Sequence, residues 1–107
     1  MDDDVPQRTW RALRPVGRGL VGGELQLTET HVVFEPKGPG ASVDGLRFSI
    51  ALKHLAAVGI VSGRGGWFTR RIDRFCLTLG DGSQWELIVD DLSDAVQTIQ
   101  HRLADRA

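Results

Sequence analysis

Cysteine is almost missing from this chain of 107 residues. Cys76 stands alone, which excludes an internal disulfide and any multi-cysteine zinc or iron–sulfur site. A basic excess is missing too: 13 Lys and Arg face 14 Asp and Glu, a formal charge of −1. A domain that lives on nucleic acid carries a clear surplus of positive charge, so no nucleic-acid partner is expected. No apolar run approaches the roughly 18 residues of a membrane-spanning helix. The start, Met1-Asp2-Asp3-Asp4, has the wrong charge for a secretory leader, so a reducing cytoplasm is the expected compartment. Lysine is scarce, 2 against 11 arginines, which fits a GC-rich genome. Internal repeats and low-complexity stretches are absent.

What is present is ordinary for a folded domain. Hydrophobic residues make up 41% and charged residues 25%, close to globular averages and too apolar for wholesale disorder. The length suits one domain with one core. The acidic lead-in, residues 1–7, is expected to be disordered, and residues 8–107 to form the domain. Its 13 glycines and 4 prolines lie between short apolar stretches, which points to strands and turns rather than long helices.

Periodicity places the elements. Thr9 to Arg18 predicts a first strand, restricted to an edge position by Pro15. Gly19-Leu20-Val21-Gly22-Gly23 reads as a turn. Glu24-Leu25-Gln26-Leu27-Thr28 alternates with period two and predicts a half-buried strand. Glu29-Thr30 turns into His31-Val32-Val33-Phe34-Glu35, and Pro36 to Asp44 reads as a loop. Leu46, Phe48 and Ile50 share a face, a helical turn over Ala51 to His54 follows, and Leu55 to Val61 reads as a strand buried on both sides. Arg71 to Leu79 and Gln84 to Val89 flank a Gly80-Asp81-Gly82-Ser83 hairpin turn. The period then becomes helical, with Leu92, Ala95, Val96, Ile99 and Leu103 on one stripe. Asp90 or Asp91 is expected to cap that helix, and Asp94 to add favourable charge in its first turn.

About seven antiparallel strands in hairpin succession must curl, and one amphipathic helix arriving last must bury its stripe against an open end. The predicted class is mainly β (α+β): a pleckstrin-homology-like barrel capped by a C-terminal α-helix. Gly23-Glu24-Leu25-Gln26-Leu27-Thr28-Glu29-Thr30-His31-Val32-Val33-Phe34 resembles the central signature of GRAM domains, in which Gly, Leu, Leu or Ile and Thr precede a short turn and an apolar strand ending in Phe. Phe48-Ser49-Ile50 with Leu52-Lys53-His54-Leu55, and Phe75-Cys76-Leu77-Thr78-Leu79 through Gly82 and Trp85, resemble later parts of the family pattern. The resemblance spans residues 11–105 and is similar to a stand-alone, bacterial version of the domain. It implies a non-enzymatic module that binds phosphoinositides or proteins. The family's usual headgroup site, around the first hairpin, is poorly furnished here: Arg14 and Arg18 stand beside Val21-Gly22-Gly23, and Lys37 lies near Glu35 and Asp44.

No catalytic set is legible. His31, His54 and His101 fall in no metal or nucleophile pattern, and Cys76 sits mid-strand where a free cysteine packs as a small apolar residue. Gly63-Arg64-Gly65-Gly66 and Gly17-Arg18-Gly19 lack the lysine and strand-to-helix setting of a phosphate loop. Arg70 and Arg74 fit only the first half of a cyclic-dinucleotide motif. No enzyme activity, metal or cofactor is expected.

The distinctive stretch is Arg64-Gly65-Gly66-Trp67-Phe68-Thr69-Arg70-Arg71 with Arg74 just beyond. Adjacent aromatics Trp67 and Phe68 at a glycine-rich hairpin tip, among Arg64, Arg70, Arg71 and Arg74, suit a protein interface or self-association, where Trp and Arg anchor binding. They equally suit anionic membrane lipid at the inner membrane face, each arginine contributing roughly 1 kcal/mol near such a surface. The plain alternative is that Trp67 folds over the barrel while the arginines are solvated or paired with Asp73.

Overall fold

The computed structural model describes residues 6–16, 19–37, 47–61 and 73–105. It contains β1 (Arg8–Val16), β2 (Gly19–Leu27), β3 (His31–Pro36), β4 (Phe48–Ala51), β5 (Leu55–Val61), β6 (Arg74–Leu79), β7 (Gln84–Val89) and one helix, α1 (Leu92–Asp105). A single 3-10 turn, Leu52–His54, joins β4 to β5. The fold is mainly β with one C-terminal helix, as the periodicity predicts.

The seven strands form one antiparallel sheet in the order β4-β3-β2-β1-β7-β6-β5. β4 and β5 are its two ends. The sheet curls, because inward residues of every strand join one core cluster: Trp10, Leu25, Phe34, Ile50, Val58, Phe75 and Leu87 meet there with Ala95, Val96 and Ile99 of α1. A flat sheet of this order could not bring β4 and β5 residues into the same cluster.

Alternation explains which residues go in. Leu25, Leu27, Phe34, Phe75, Leu77 and Leu87 are wholly buried, each two positions from its inward neighbour. Thr28 ties the β2–β3 turn together. Its buried hydroxyl accepts hydrogen bonds from the N–H groups of His31 (2.9 Å) and Thr30 (3.2 Å).

Three local expectations change. Gly19 to Gly23 is strand, not turn, since β2 runs from Gly19 and Gly23 pairs with Pro36. The reason for Gly23 is proximity: a Cβ there would lie 2.3 Å from the Glu35 carbonyl oxygen and 2.9 Å from Phe34. β5 is not buried on both sides, because only Leu55 and Val58 are buried and it stands at the end of the sheet. Finally, no side-chain bond from Asp90 or Asp91 caps α1 among the described residues. Asp91 instead adopts a left-handed φ of 53° to turn the chain.

A fourth expectation changes at Pro15: β1 is an inner strand between β2 and β7, not an edge strand, and Pro15 is accommodated because the pairing is one-sided where it sits. β1 pairs with β7 only at Ala12↔Val89 and Leu13↔Ile88, so its last residues have β2 on one side alone. At the other end, α1 is tied down by Asp94, whose carboxylate accepts from Arg8 and from the Trp10 indole N–H at 2.9 Å. Arg102 closes the far end of the helix onto the Thr28 carbonyl at 3.1 Å and onto Gln7.

Candidate functional site

Of the sequence-predicted site residues, Arg64, Trp67, Phe68, Arg70 and Arg71 lie outside the described residues. Arg74 is the first residue of β6. Its guanidinium pairs with Glu86 of β7 at 3.3 Å rather than with Asp73, and its buried Nε has no hydrogen-bond partner. Both ends of this ion pair are about one-third exposed, so it contributes at most about 1 kcal/mol.

The strand register sets exposed apolar residues beside Arg74. Val61 of β5 is directly opposite it and Ile60 is opposite Phe75. Ile60 is 51% and Val61 37% exposed. No charge, proline or long side chain interrupts β5, whose sequence is Leu55-Ala56-Ala57-Val58-Gly59-Ile60-Val61. Water therefore meets an apolar strand end next to a partly buried arginine.

A second apolar feature escapes the sequence reading, which takes its second half for a turn. β1 and β2 pair with each other over their full nine residues, but β3 reaches β2 only from Gly23 onward. Residues 14–16 and 19–22 thus form a two-stranded ribbon projecting past its neighbours, with Leu20 54% and Val16 39% exposed. Arg14 lies on the ribbon's inner side, its guanidinium 5.0 Å from the Trp85 ring and 5.4 Å from Phe48. Phe48 in turn touches Trp85 at 4.9 Å. The cation covers two rings at the mouth of the curled sheet. Alternating polarity is a poor signal for such a ribbon, since both of its faces are wet.

The described histidines, cysteine and carboxylates lie apart from one another or in simple pairs. Among the described residues no group of three His, Cys, Asp or Glu side chains could hold a metal ion. Cys76 is buried, and His101 pairs only with Asp105 at 3.6 Å on the exposed face of α1. Among the described residues, depressions of 610, 620 and 560 Å³ mark the surface. One crosses Arg11, Leu13, Gly22, Lys37 and Ile88; another joins His31, Leu52, Lys53 and Arg102; the third lies against His54, Ala56 and Gly80. Two of the cations that line them already have partners: Lys37 meets Glu24 of the same depression at 3.5 Å, and Arg102 bonds backbone carbonyls. Asp81 titrates below the usual carboxylate value because the Ser83 hydroxyl, then the Ser83 N–H, donates to it. That is turn chemistry in an exposed hairpin, not acid–base chemistry in a cleft. No helix among the described residues is long and apolar enough to cross a membrane.

No protein-family model and no curated protein matches the chain. Seven solved chains match it in shape. One is the crystal structure of the C-terminal domain of an unknown protein from Leishmania infantum, with a TM-score of 0.68 and 13% identity. The match covers 94% of this chain and 85% of that one. At that identity the likeness shows the fold alone.

Proposed function

We propose that the chain is a non-enzymatic interaction module of the GRAM type, without cofactor, whose ligand is a protein partner or a second copy of itself. The observation that carries this reading is the exposed, uncharged end of β5, where Val61 is set against Arg74 and Ile60 precedes it. Exposed apolar surface next to arginine is the composition of interface anchors. In the chain, β5 leads directly into the residues singled out by sequence, Arg64, Trp67, Phe68, Arg70 and Arg71.

A second reading is a peripheral module on anionic lipid at the cytoplasmic membrane face. One observation favours it: residues 11–23, which include the projecting ribbon, carry Arg11, Arg14 and Arg18 but no carboxylate. Exposed Leu13, Val16 and Leu20 lie among those cations.

Photo-cross-linking in cells from position 60, and separately from position 67, tests the first reading. Discrete protein adducts are expected from both. Flotation with anionic and neutral liposomes at low and high salt tests the second. Salt-sensitive flotation on anionic liposomes without any protein adduct would replace the first reading by the second.

A further inference from the structure

Two hydrogen bonds fix which way the backbone groups of the projecting ribbon point. Lys37 N–H donates to the Gly22 carbonyl at 2.9 Å. Gly22, and with it Leu20 two residues earlier, therefore turns its N–H and C=O toward the β3 side of β2. Asp90 N–H donates to the Arg11 carbonyl at 2.9 Å, so Arg11, Leu13 and Pro15 turn theirs toward β7. The register agrees, since Leu20 is opposite Pro15 and Gly22 opposite Leu13, and facing residues of an antiparallel pair share one bonding state. β3 ends its pairing with β2 at Gly23↔Pro36. Among the described residues, no strand lies beyond Leu20 on that side.

The two edges of the ribbon are therefore unequal. On the β7 side the outward position is Pro15, which has no N–H to offer, one of the usual ways of blunting an edge. On the β3 side the outward position is Leu20, in the run Gly19-Leu20-Val21-Gly22, which holds neither charge nor proline. The Leu20 side chain is 54% exposed, the highest value for a large hydrophobic among the described residues. β5 differs, because α1 lies along it and Gln100 donates its side-chain amide to the Val58 carbonyl at 2.7 Å. Charge then decides what suits the ribbon's open edge. Residues 11–23 carry Arg11, Arg14 and Arg18 and no carboxylate. Lys37, bonded to Gly22, is offset by Glu24 at 3.5 Å.

Resting on the interaction-module reading, we infer that the β2 edge of the ribbon is a docking site for an extended, carboxylate-rich segment of a partner protein. The segment adds as a short strand on the Leu20 N–H and C=O, and its apolar residues rest on the Leu20 side chain. The positive charge of the ribbon attracts its carboxylates and sets the choice of partner. A second copy is disfavoured by the same charges. Ribbon on ribbon would set three arginines against three, with no carboxylate in either run. A neutral segment would gain the backbone bonds alone.

The test uses the whole chain, 15N-labelled, and a fluorescein-labelled acetyl-Glu-Val-Glu-Val-Glu-Val-Glu-amide as probe. Two peptides of the same length serve as controls, one with Lys for every Glu and one with Pro for the central Val. Amide shifts are expected at residues 19–22 and 37 with the first peptide only. Its binding should weaken as salt rises from about 0.05 to 0.5 M. Leu20→Pro removes the outward N–H without touching the ladder to β1, so it should abolish binding while the rest of the amide spectrum persists. Leu20→Glu leaves the backbone intact and keeps the test decisive if the proline variant fails to fold. It should weaken binding about five-fold, the size of one surface charge contact. Absence of shifts at millimolar probe, shifts confined to another surface, equal binding of either control, or unchanged affinity in Leu20→Glu would each overturn the docking site. Flotation on anionic liposomes that Leu20→Glu abolishes, with no peptide bound, would overturn it in favour of a lipid surface at the same edge. Protein adducts from position 60 together with no probe binding would remove the ribbon site and leave the interaction-module reading standing.

Discussion

The two ends of the sheet are built differently. β4 is four residues long, alternates buried Phe48 and Ile50 with exposed Ser49, and is flanked by Arg47, whose guanidinium donates to Glu35 at 2.9 Å. Short length and a charged shoulder are how edges are kept from pairing. β5 has seven uncharged residues, ends in exposed Ile60 and Val61, and shows its backbone groups to a helix that satisfies one carbonyl. Two edges of one sheet, under the same solvent, thus carry opposite designs. β4 is blunted by shortness and charge, whereas β5 is covered by α1 at Val58 and leaves Ile60 and Val61 as the exposed part of its edge.

The largest effects should come from the core that both edges share. Phe75 is fully buried behind β5, opposite Ile60. Phe75→Ala should cost about 3–5 kcal/mol, enough to unfold a domain of this size or nearly so. Urea denaturation of the variant measures it. Phe48→Ala at the β4 edge removes a ring that is almost as buried, 7% exposed, but the Arg14 and Trp85 side chains already lie against it and can settle over the gap. Its cost should fall below that of Phe75→Ala. If the order reversed, β4 rather than β5 would be the better anchored edge.

Gly23→Ala attacks one side of the comparison selectively. The added methyl would lie 2.3 Å from the Glu35 carbonyl oxygen and 2.9 Å from the Pro36 Cα, so β3 has to move away from β2. β4 hangs on β3 alone and should loosen with it. We expect a loss of about 1–3 kcal/mol, as for other overpacked sites. Hydrogen exchange should rise in β3 and β4 while β5 and β6 keep their protection. Uniform loss of protection would show that the two ends are not independent.

Most of this architecture is legible in the sequence, and the misses share a cause. Alternation locates Leu25, Leu27, Phe34, Phe75, Leu77 and Leu87 because one face of each strand is buried and the other is wet. The same rule fails at Leu55 to Val61, where an apolar run means burial but does not say by what. The run reads as a strand with neighbours on both sides, whereas the fold supplies β6 on one side and a helix side chain on the other. It fails again at Gly19 to Gly23, since glycines that make turns and glycines that admit a close neighbour look alike in one dimension. For the candidate site, sequence picks out Arg74 and the residues before it. Ile60 and Val61 pass unnoticed because exposure is a property of the assembled sheet. The Arg14 contact with Phe48 and Trp85 joins three strands far apart in the chain, and no local pattern announces it.

Replacing the exposed residue on each edge gives smaller effects. Ile60→Lys adds a charge to half-exposed surface and should change stability by no more than about 0.5 kcal/mol. Arg47→Ala removes a surface ion pair worth about 0–1 kcal/mol. The comparison predicts opposite changes in association, followed by light scattering at rising concentration. Ile60→Lys should suppress any self-association, because it gives β5 the protection that β4 already has. Arg47→Ala should promote it, by taking that protection from β4. Unchanged scattering in both would mean that neither edge mediates self-association.

The smallest effect belongs to the turn that leads β6 into β7. Asp81 accepts from the Ser83 hydroxyl and from the Ser83 N–H at 2.9 Å, and these bonds favour its ionised form, so its pKa falls below the ordinary 3.8. A carboxylate depressed in the folded state stabilises the fold above its ordinary pKa and loses that contribution as pH drops through the depressed value. Asn in its place keeps an acceptor oxygen for the Ser83 N–H but has no charge to titrate. Asp81→Asn should therefore lower the melting temperature slightly and by a constant amount from about pH 5 to 7, with the difference shrinking below about pH 4. The Leu79 N–H to Ser83 carbonyl bond, which fixes the direction of every backbone group in β6 and hence in β5, lies in the same turn. A gap between wild type and variant that persisted undiminished at low pH would assign the contribution of Asp81 to turn geometry rather than to its charge.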